Sequence, residues 1–350
     1  MFTAAARHAA PERLAALGAE LASRAPLTAV VGPWRSGAFG RLAESGALAG
    51  FIPADCGGTA ADEAALTELL VVVAENCLTT ALVLTQWAAA CRIIAAAPAT
   101  VRQRRLPALA RGETPTTVGI SQLSTSRRHL GTPAVVATAV DGRWRLDGEC
   151  PWVTGAAACD TIVTGAAADT GEQMFFVVPT GSPGVEIAPP LELLALSGSL
   201  TTSVRLTAAE PADVIVPAEG GVRTGGLATT ALAVGATRAA VTLIALEAAA
   251  RPELARIAAG LRAEEDSLAR DHDAAARGGG TPPARDALRV RANSLVVRAA
   301  QAALAAAKGA GFVAGHPAER LARESLFFLV WSCPQAVSSA VLCELAGLEG

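Results

Sequence analysis

The chain has 350 residues, of which 51% are hydrophobic and 17% charged, with a formal net charge of −3. That length corresponds to about two domains, and the composition excludes disorder over most of the chain and supports a large buried core. The slight negative balance excludes the basic surface of a nucleic-acid binder.

Lys308 is the only lysine, tyrosine is absent, and the 7 cysteines form no Cys-x-x-Cys pair. Lysine and tyrosine chemistry is therefore closed except through Lys308. The odd, scattered cysteines point to neither a zinc site nor a disulfide framework, and a cytoplasmic location is expected.

Met1–Leu17 carries Arg7 and Arg13 and lacks the apolar run of a signal peptide. Residues 1–113 read as a helical domain. Asp62 is placed to cap a helix whose Leu66, Leu69, Leu70 and Val73 share one face. A second helix is expected over Leu78–Ile94, almost uncharged and hence buried on most sides. A third is expected from near Thr100 to just before Pro107.

Residues 114–216 change to a β pattern. Ala134–Val140 and Trp144–Leu146 flank Asp141-Gly142, a hairpin signal. Thr161–Thr164, Met174–Val178, Ser203–Leu206 and Asp213–Val216 are further strands, which together suggest a small antiparallel barrel or sandwich. Residues 217–350 return to a helical pattern, interrupted by the loop Gly278–Pro283, and suggest a bundle of four or five helices. The longest uncharged stretch, Ser325–Cys343, is long enough to cross a membrane. Ser332, Pro334, Gln335, Ser338 and Ser339 interrupt it, so two buried segments broken near Pro334 are expected, and no membrane span.

Five segments carry a resemblance. Phe51–Gly58 reads FIPADCGG, Arg102–Glu113 reads RQRRLPALARGE, and Arg145–Asp160 reads RLDGECPWVTGAAACD. Ser199–Leu206 reads SLTTSVRL and Gly315–Ser325 reads GHPAERLARES. In this order, over nearly the whole chain, they resemble the acyl-CoA dehydrogenase family. The resemblance implies an α+β fold with an N-terminal helical domain, a middle β domain and a C-terminal helical bundle. It also implies FAD as cofactor, an acyl-CoA or carrier-protein-bound acyl substrate, and a homodimer or tetramer. The family removes α and β hydrogens from an acyl thioester, which needs a base for the α proton and hydrogen bonds to the developing enolate.

By the same resemblance, Thr154 hydrogen-bonds the N5 edge of the flavin and Trp152 packs near the isoalloxazine. A core tryptophan and a strand threonine are the plainer alternative. Ser121 stands where a hydroxyl meets the flavin pyrimidine edge, followed by Gln122 and Leu123 in place of the family's Glu and Pro. Arg127, Arg128 and His129 replace the family's Gly-Ser-Asp, and either bind an anionic part of the substrate or form a solvated loop. Arg251 aligns with the arginine that grips the FAD pyrophosphate across a dimer interface, but Leu254 and Ala255 replace the Phe-Gly that follows. Lys308, Gly309 and Gly311 align with the family's glycine-rich turn, whose glutamine is Ala305 here. They either let backbone N–H groups approach a phosphate, with Lys308 adding charge, or form a simple turn.

The family's catalytic glutamate falls on Ser332. A serine hydroxyl without a paired base does not take an α proton at neutral pH. Cys333 follows it with no cation nearby in sequence, which reads as an inert thiol more than as a base or nucleophile. A second position used by some members falls near Thr224–Gly226, where no acid stands and Glu219 is nearest. His8 and His129 are expected at the surface, His316 in a loop and His272 on a polar helix, with no metal pattern among them. Three functions remain open: a flavoenzyme with altered chemistry, including the monooxygenase type; a degenerate subunit paired with a catalytic homologue; or a non-redox protein that has lost FAD.

Overall fold

The protein is described from a computed structural model, which covers residues 11–124, 133–168, 172–216, 226–279, 281–331 and 335–348. Its first layer holds α1 (Pro11–Val31), α2 (Ala38–Glu44), α3 (Glu63–Asn76), α4 (Leu78–Ala95) and α5 (Ala99–Ala110). The Asp62 carboxylate accepts from the Ala65 N–H at 2.8 Å and caps α3 as its position predicts. α4 is buried along most of its length, and its Trp87 meets Phe39 and Phe51 edge-on at 5.9 and 5.8 Å. α5 does not stop before Pro107. Leu106 and Leu109 are buried on either side of the proline, and their burial offsets the one backbone bond the ring removes.

The middle layer begins with β1 (Thr116–Gly119) and the short α6 (Ser121–Ser124). β2 (Val135–Val140) and β3 (Arg143–Val153) form the hairpin expected at Asp141-Gly142, with Val140 opposite Arg143. Next come β4 (Thr161–Ala168), β5 (Gln173–Pro179), β6 (Val185–Ile187), β7 (Thr202–Ala209) and β8 (Asp213–Ile215). The strands form one sheet in the order β6-β7-β3-β2-β4-β5-β8, with β1 joined to β4. Most pairings are antiparallel, but β4 runs parallel to both β1 and β2, so the sheet is mixed. One face of the sheet buries Leu146, Val153, Ile162, Phe176 and Val204 in a core of its own. Its other face, through Val118, Val163, Val177 and Ile215, joins the helical core around α4.

The last layer holds α7 (Leu227–Ala250), α8 (Ala255–Ala276), α9 (Pro282–Ala306), α10 (Lys308–Gly311), α11 (Pro317–Ser325) and α12 (Gln335–Ala346), with a 3-10 turn at Leu326–Leu329. α3 and α7 cross closely at Gly235, where a Cβ would stand 2.3 Å from the Val71 carbonyl oxygen. A buried Glu265 binds Arg238 at 3.0 Å and Arg262 at 3.1 Å and ties α7 to α8. α1, α4 and α7 are long and apolar enough to cross a membrane, but 72% of that stretch in α4 and in α7 is buried inside the protein. Asp213 of β8, with its side chain 4% exposed, pairs with Arg104 and Arg105 and fastens the sheet to α5.

Candidate functional site

β3 places the predicted Trp152 and Thr154 at its end. Alternation along the strand turns Val153 into the sheet core and leaves Trp152 50% exposed. Thr154, just past the strand, is 7% exposed. Gly155 follows with φ 70°, and a Cβ there would stand 2.8 Å from the ring of Trp34. That left-handed, crowded position admits glycine best. Trp34 in turn stacks on Phe39 at 4.8 Å, so the end of β3 is backed by the aromatic cluster of the first layer.

The hydroxyl groups around Thr154 are shared in a defined way. Thr117 of β1 donates its hydroxyl to the Thr154 carbonyl at 2.7 Å. The Thr154 hydroxyl lies 3.2 Å from that of Thr201, which lies 2.8 Å from that of Ser199. β1 runs beside Thr154 and leads through Ile120 to the predicted Ser121, whose hydroxyl oxygen is buried at the start of α6. Its neighbour Gln122 is a clamp: the side-chain amide nitrogen lies 3.1 Å from the Gly119 carbonyl oxygen, 3.2 Å from the Thr164 hydroxyl and 3.2 Å from the Gly165 carbonyl oxygen, and shares its two N–H protons among them. It also approaches the Cys150 sulfur, a thiol that burial pushes up to about 11 and keeps protonated.

A second set of predicted residues meets at the far end of α7. Arg251 closes that helix, and its guanidinium binds Glu247 at 2.5 Å and the Ala306 carbonyl. Lys308 is exposed with φ 54°, and the space around Gly309 is open where a Cβ would stand. Gly311 is packed, with Ala307 2.6 Å from its would-be Cβ. The structure thus brings Arg251 against Ala306, two residues before Lys308, and Trp152 and Thr154 beside the strand that leads to Ser121. α7, at 24 residues, runs about 36 Å from Leu227 to the Arg251 corner. Arg127, Arg128, His129, Glu219, Ser332 and Cys333 lie outside the described residues.

Two ionisable groups are buried with no sign of it in the sequence. Glu324, on α11, is 5% exposed; burial pushes its carboxyl up to about 7 against the pull of Arg320 and Arg323. Its only sequence signal is its place in the GHPAERLARES segment. His272, expected on a polar helix, is buried instead, and its Nε2 lies 2.9 Å from the Leu227 carbonyl at the start of α7. As the carbonyl can only accept, the ring donates there; burial lowers its pKa and keeps it neutral. His316 caps α11, its Nδ1 accepting from the Ala318 N–H at 3.1 Å. Among the described residues no group of three or more His, Cys, Asp or Glu side chains stands ready for a metal.

No family model matches the chain, and no curated protein sequence matches it. Solved structures do match. Butyryl-CoA dehydrogenase from Megasphaera elsdenii superposes with a TM-score of 0.81 and 15% identity, over 95% of this chain and 96% of that one. The chain has the acyl-CoA dehydrogenase fold. FkbI, described for biosynthesis of the methoxymalonyl extender unit of a polyketide, shares that fold at TM-score 0.80 and 21% identity, over 95% of this chain and 99% of that one. KijD3 in complex with dTDP matches at TM-score 0.75 and 20% identity, over 98% of this chain and 99% of that one. The acyl-CoA dehydrogenase fold accounts for the helix–sheet–helix order.

Proposed function

We propose that the chain is a flavoprotein oxidoreductase that holds FAD at the end of β3 and acts on an acyl thioester or a related small substrate. The observation that carries this reading is the half-exposed Trp152 beside the hydroxyl of Thr154, in a fold shared with a glutaryl-CoA dehydrogenase from Mycobacterium smegmatis solved in complex with FADH2. The residues present fit the ring end of a flavin. Trp152 offers an apolar face, Thr154 a hydroxyl, and the left-handed Gly155 a tight turn that keeps the backbone from covering them. At the other end, Arg251 is engaged within its own chain by Glu247 and Ala306, so among the described residues Lys308 is a cation of that corner left to meet a phosphate, and the open Gly309 leaves room for it. The family resemblance supports a dimer in which one chain provides the ring site and its partner the Arg251–Lys308 corner.

A bound flavin would supply the hydride acceptor. This chain's own part is to orient the ring with Thr154 and Ser121, cover it with Trp152, and exclude water with the aromatic cluster behind Gly155. The serine at the family's base position supports chemistry in which no α proton is removed by a carboxylate. A second reading follows from it: a flavin-dependent oxygenation, as KijD3, of the same fold, has been solved with FMN and an amino keto sugar nucleotide. A third, a degenerate subunit completed by a catalytic homologue, would show flavin only on co-expression. Purified protein incubated with FAD and passed through gel filtration tests the reading. Flavin absorbance that travels with the protein, and is lost in Trp152→Ala, is expected; a colourless protein contradicts it.

A further inference from the structure

Lys308, the only lysine in the chain, takes a left-handed backbone angle, φ 54°. Glycine adopts that angle freely, whereas a residue with a side chain is strained there. Strain kept at an exposed position points to a use for the side chain. Phe312 closes the turn that Lys308 opens. It is 80% exposed, the highest value for a large apolar side chain among the described residues. The turn beneath it is hydrogen-bonded throughout. The Gly311 N–H donates to the Ala307 carbonyl at 3.3 Å, the Phe312 N–H to the Gly309 carbonyl at 3.2 Å and the Val313 N–H to the Ala310 carbonyl at 3.2 Å. Gly311 is packed against Ala307, and His316 caps α11 just beyond. An aromatic ring on so fixed a support loses little freedom when a flat group stacks on it.

The surroundings of the ring leave room for such a group. Nothing stands within 4 Å of the would-be Cβ of Gly309 or of Gly315, three residues to either side of Phe312. Lys308 and Phe312 lie one helical turn apart, about 6 Å along the axis at 1.5 Å per residue. A ribose spans a similar distance between its phosphate and its base. We infer that Phe312 binds the adenine of FAD: its ring stacks on the base while Lys308 meets the pyrophosphate. This rests on the flavin reading above and deepens it, because it makes the preferred cofactor the dinucleotide. FMN ends at a single phosphate and has no base to stack. A purine offers a flat face to an aromatic side chain and is held by stacking, without any need for hydrogen bonds to its edges. The charge of Lys308 and the face of Phe312 therefore select for the two parts of FAD that FMN lacks, the second phosphate and the adenosine.

The test measures the dissociation constants of FAD and of FMN for the full chain, by titration of flavin fluorescence. FMN carries the same ring and serves as the control. The wild type is expected to bind FAD more tightly than FMN by about tenfold or more. Phe312→Ala is expected to weaken FAD about tenfold and leave FMN unchanged, and Phe312→Trp, which keeps a stacking face, to restore the wild-type value. Lys308→Gly, which suits the left-handed angle, is expected to weaken FAD by a factor that shrinks as salt is added. A Phe312→Ala chain that binds FAD as the wild type does overturns the inference and leaves the flavin reading intact. So does an equal loss for FAD and FMN, which would place Phe312 in the assembly of the chains. If Phe312→Ala does not fold, a Lys308→Gly chain with unchanged FAD affinity overturns it equally. A wild-type chain that takes up neither flavin overturns both.

Discussion

Glu324 gives the sharpest test of the energetics. Its carboxyl is buried on α11 and titrates near 7 in the folded chain, against 4.5 in the unfolded one. The folded state therefore holds a proton through a range in which the unfolded state has lost it. The stability that this proton confers is complete below pH 4.5 and disappears as the pH rises through 7. At about 1.4 kcal/mol per pH unit, the difference amounts to about 3 kcal/mol above pH 7. Glu324→Gln has the same shape and cannot ionise. Relative to the wild type it should gain about 2.5 kcal/mol more at pH 8 than at pH 5. Urea unfolding of both proteins at the two pH values reads this directly. Arg320 and Arg323 act in the opposite sense. If they dominated, Glu324→Gln would lose stability at pH 8, and that result, or parallel pH profiles, would refute the reasoning.

Asp213→Ala leaves Arg104 and Arg105 without the carboxylate that joins α5 to β8, and should cost about 2–3 kcal/mol in urea unfolding. His272 behaves oppositely to Glu324. Its folded pKa is lowered, so its contribution is complete above pH 6.5 and is lost as the pH falls below that value; replacing it with Gln should flatten the acid side of the stability profile. Gly235→Ala pushes a methyl group into the Val71 carbonyl and should lower stability by about 2–3 kcal/mol, read as a drop in melting temperature.

The helices and hairpin were legible because their signals are local. Asp62 caps α3, Asp141-Gly142 turns β2 into β3, and α4 runs as its uncharged sequence suggests. Where long-range burial decides, local signals fail. Pro107 reads as a stop, yet Leu106 and Leu109 hold α5 together across it. β1 was missed because four residues ending in glycine carry little pattern, and its parallel pairing to β4 depends on partners distant in sequence. At the site, Trp152 and Thr154 were found by motif. Thr201 lay inside a quoted segment but gained meaning only when its hydroxyl met that of Thr154. Gln122 read as a departure from a family pattern and proves to be a buried clamp across β1, β3 and β4. His272 read as polar because its neighbours in sequence are charged; its neighbour in space is the first turn of α7.

The central claim is that Trp152 and Thr154 form a flavin site at the end of β3. The absorbance spectrum of the purified full chain, after incubation with FAD and gel filtration, tests it most directly. The account predicts flavin bands near one equivalent per chain or per shared site, abolished by Trp152→Ala while the melting temperature of the flavin-free protein is unchanged. A protein that remains colourless at saturating FAD, with or without a co-expressed homologue, contradicts it.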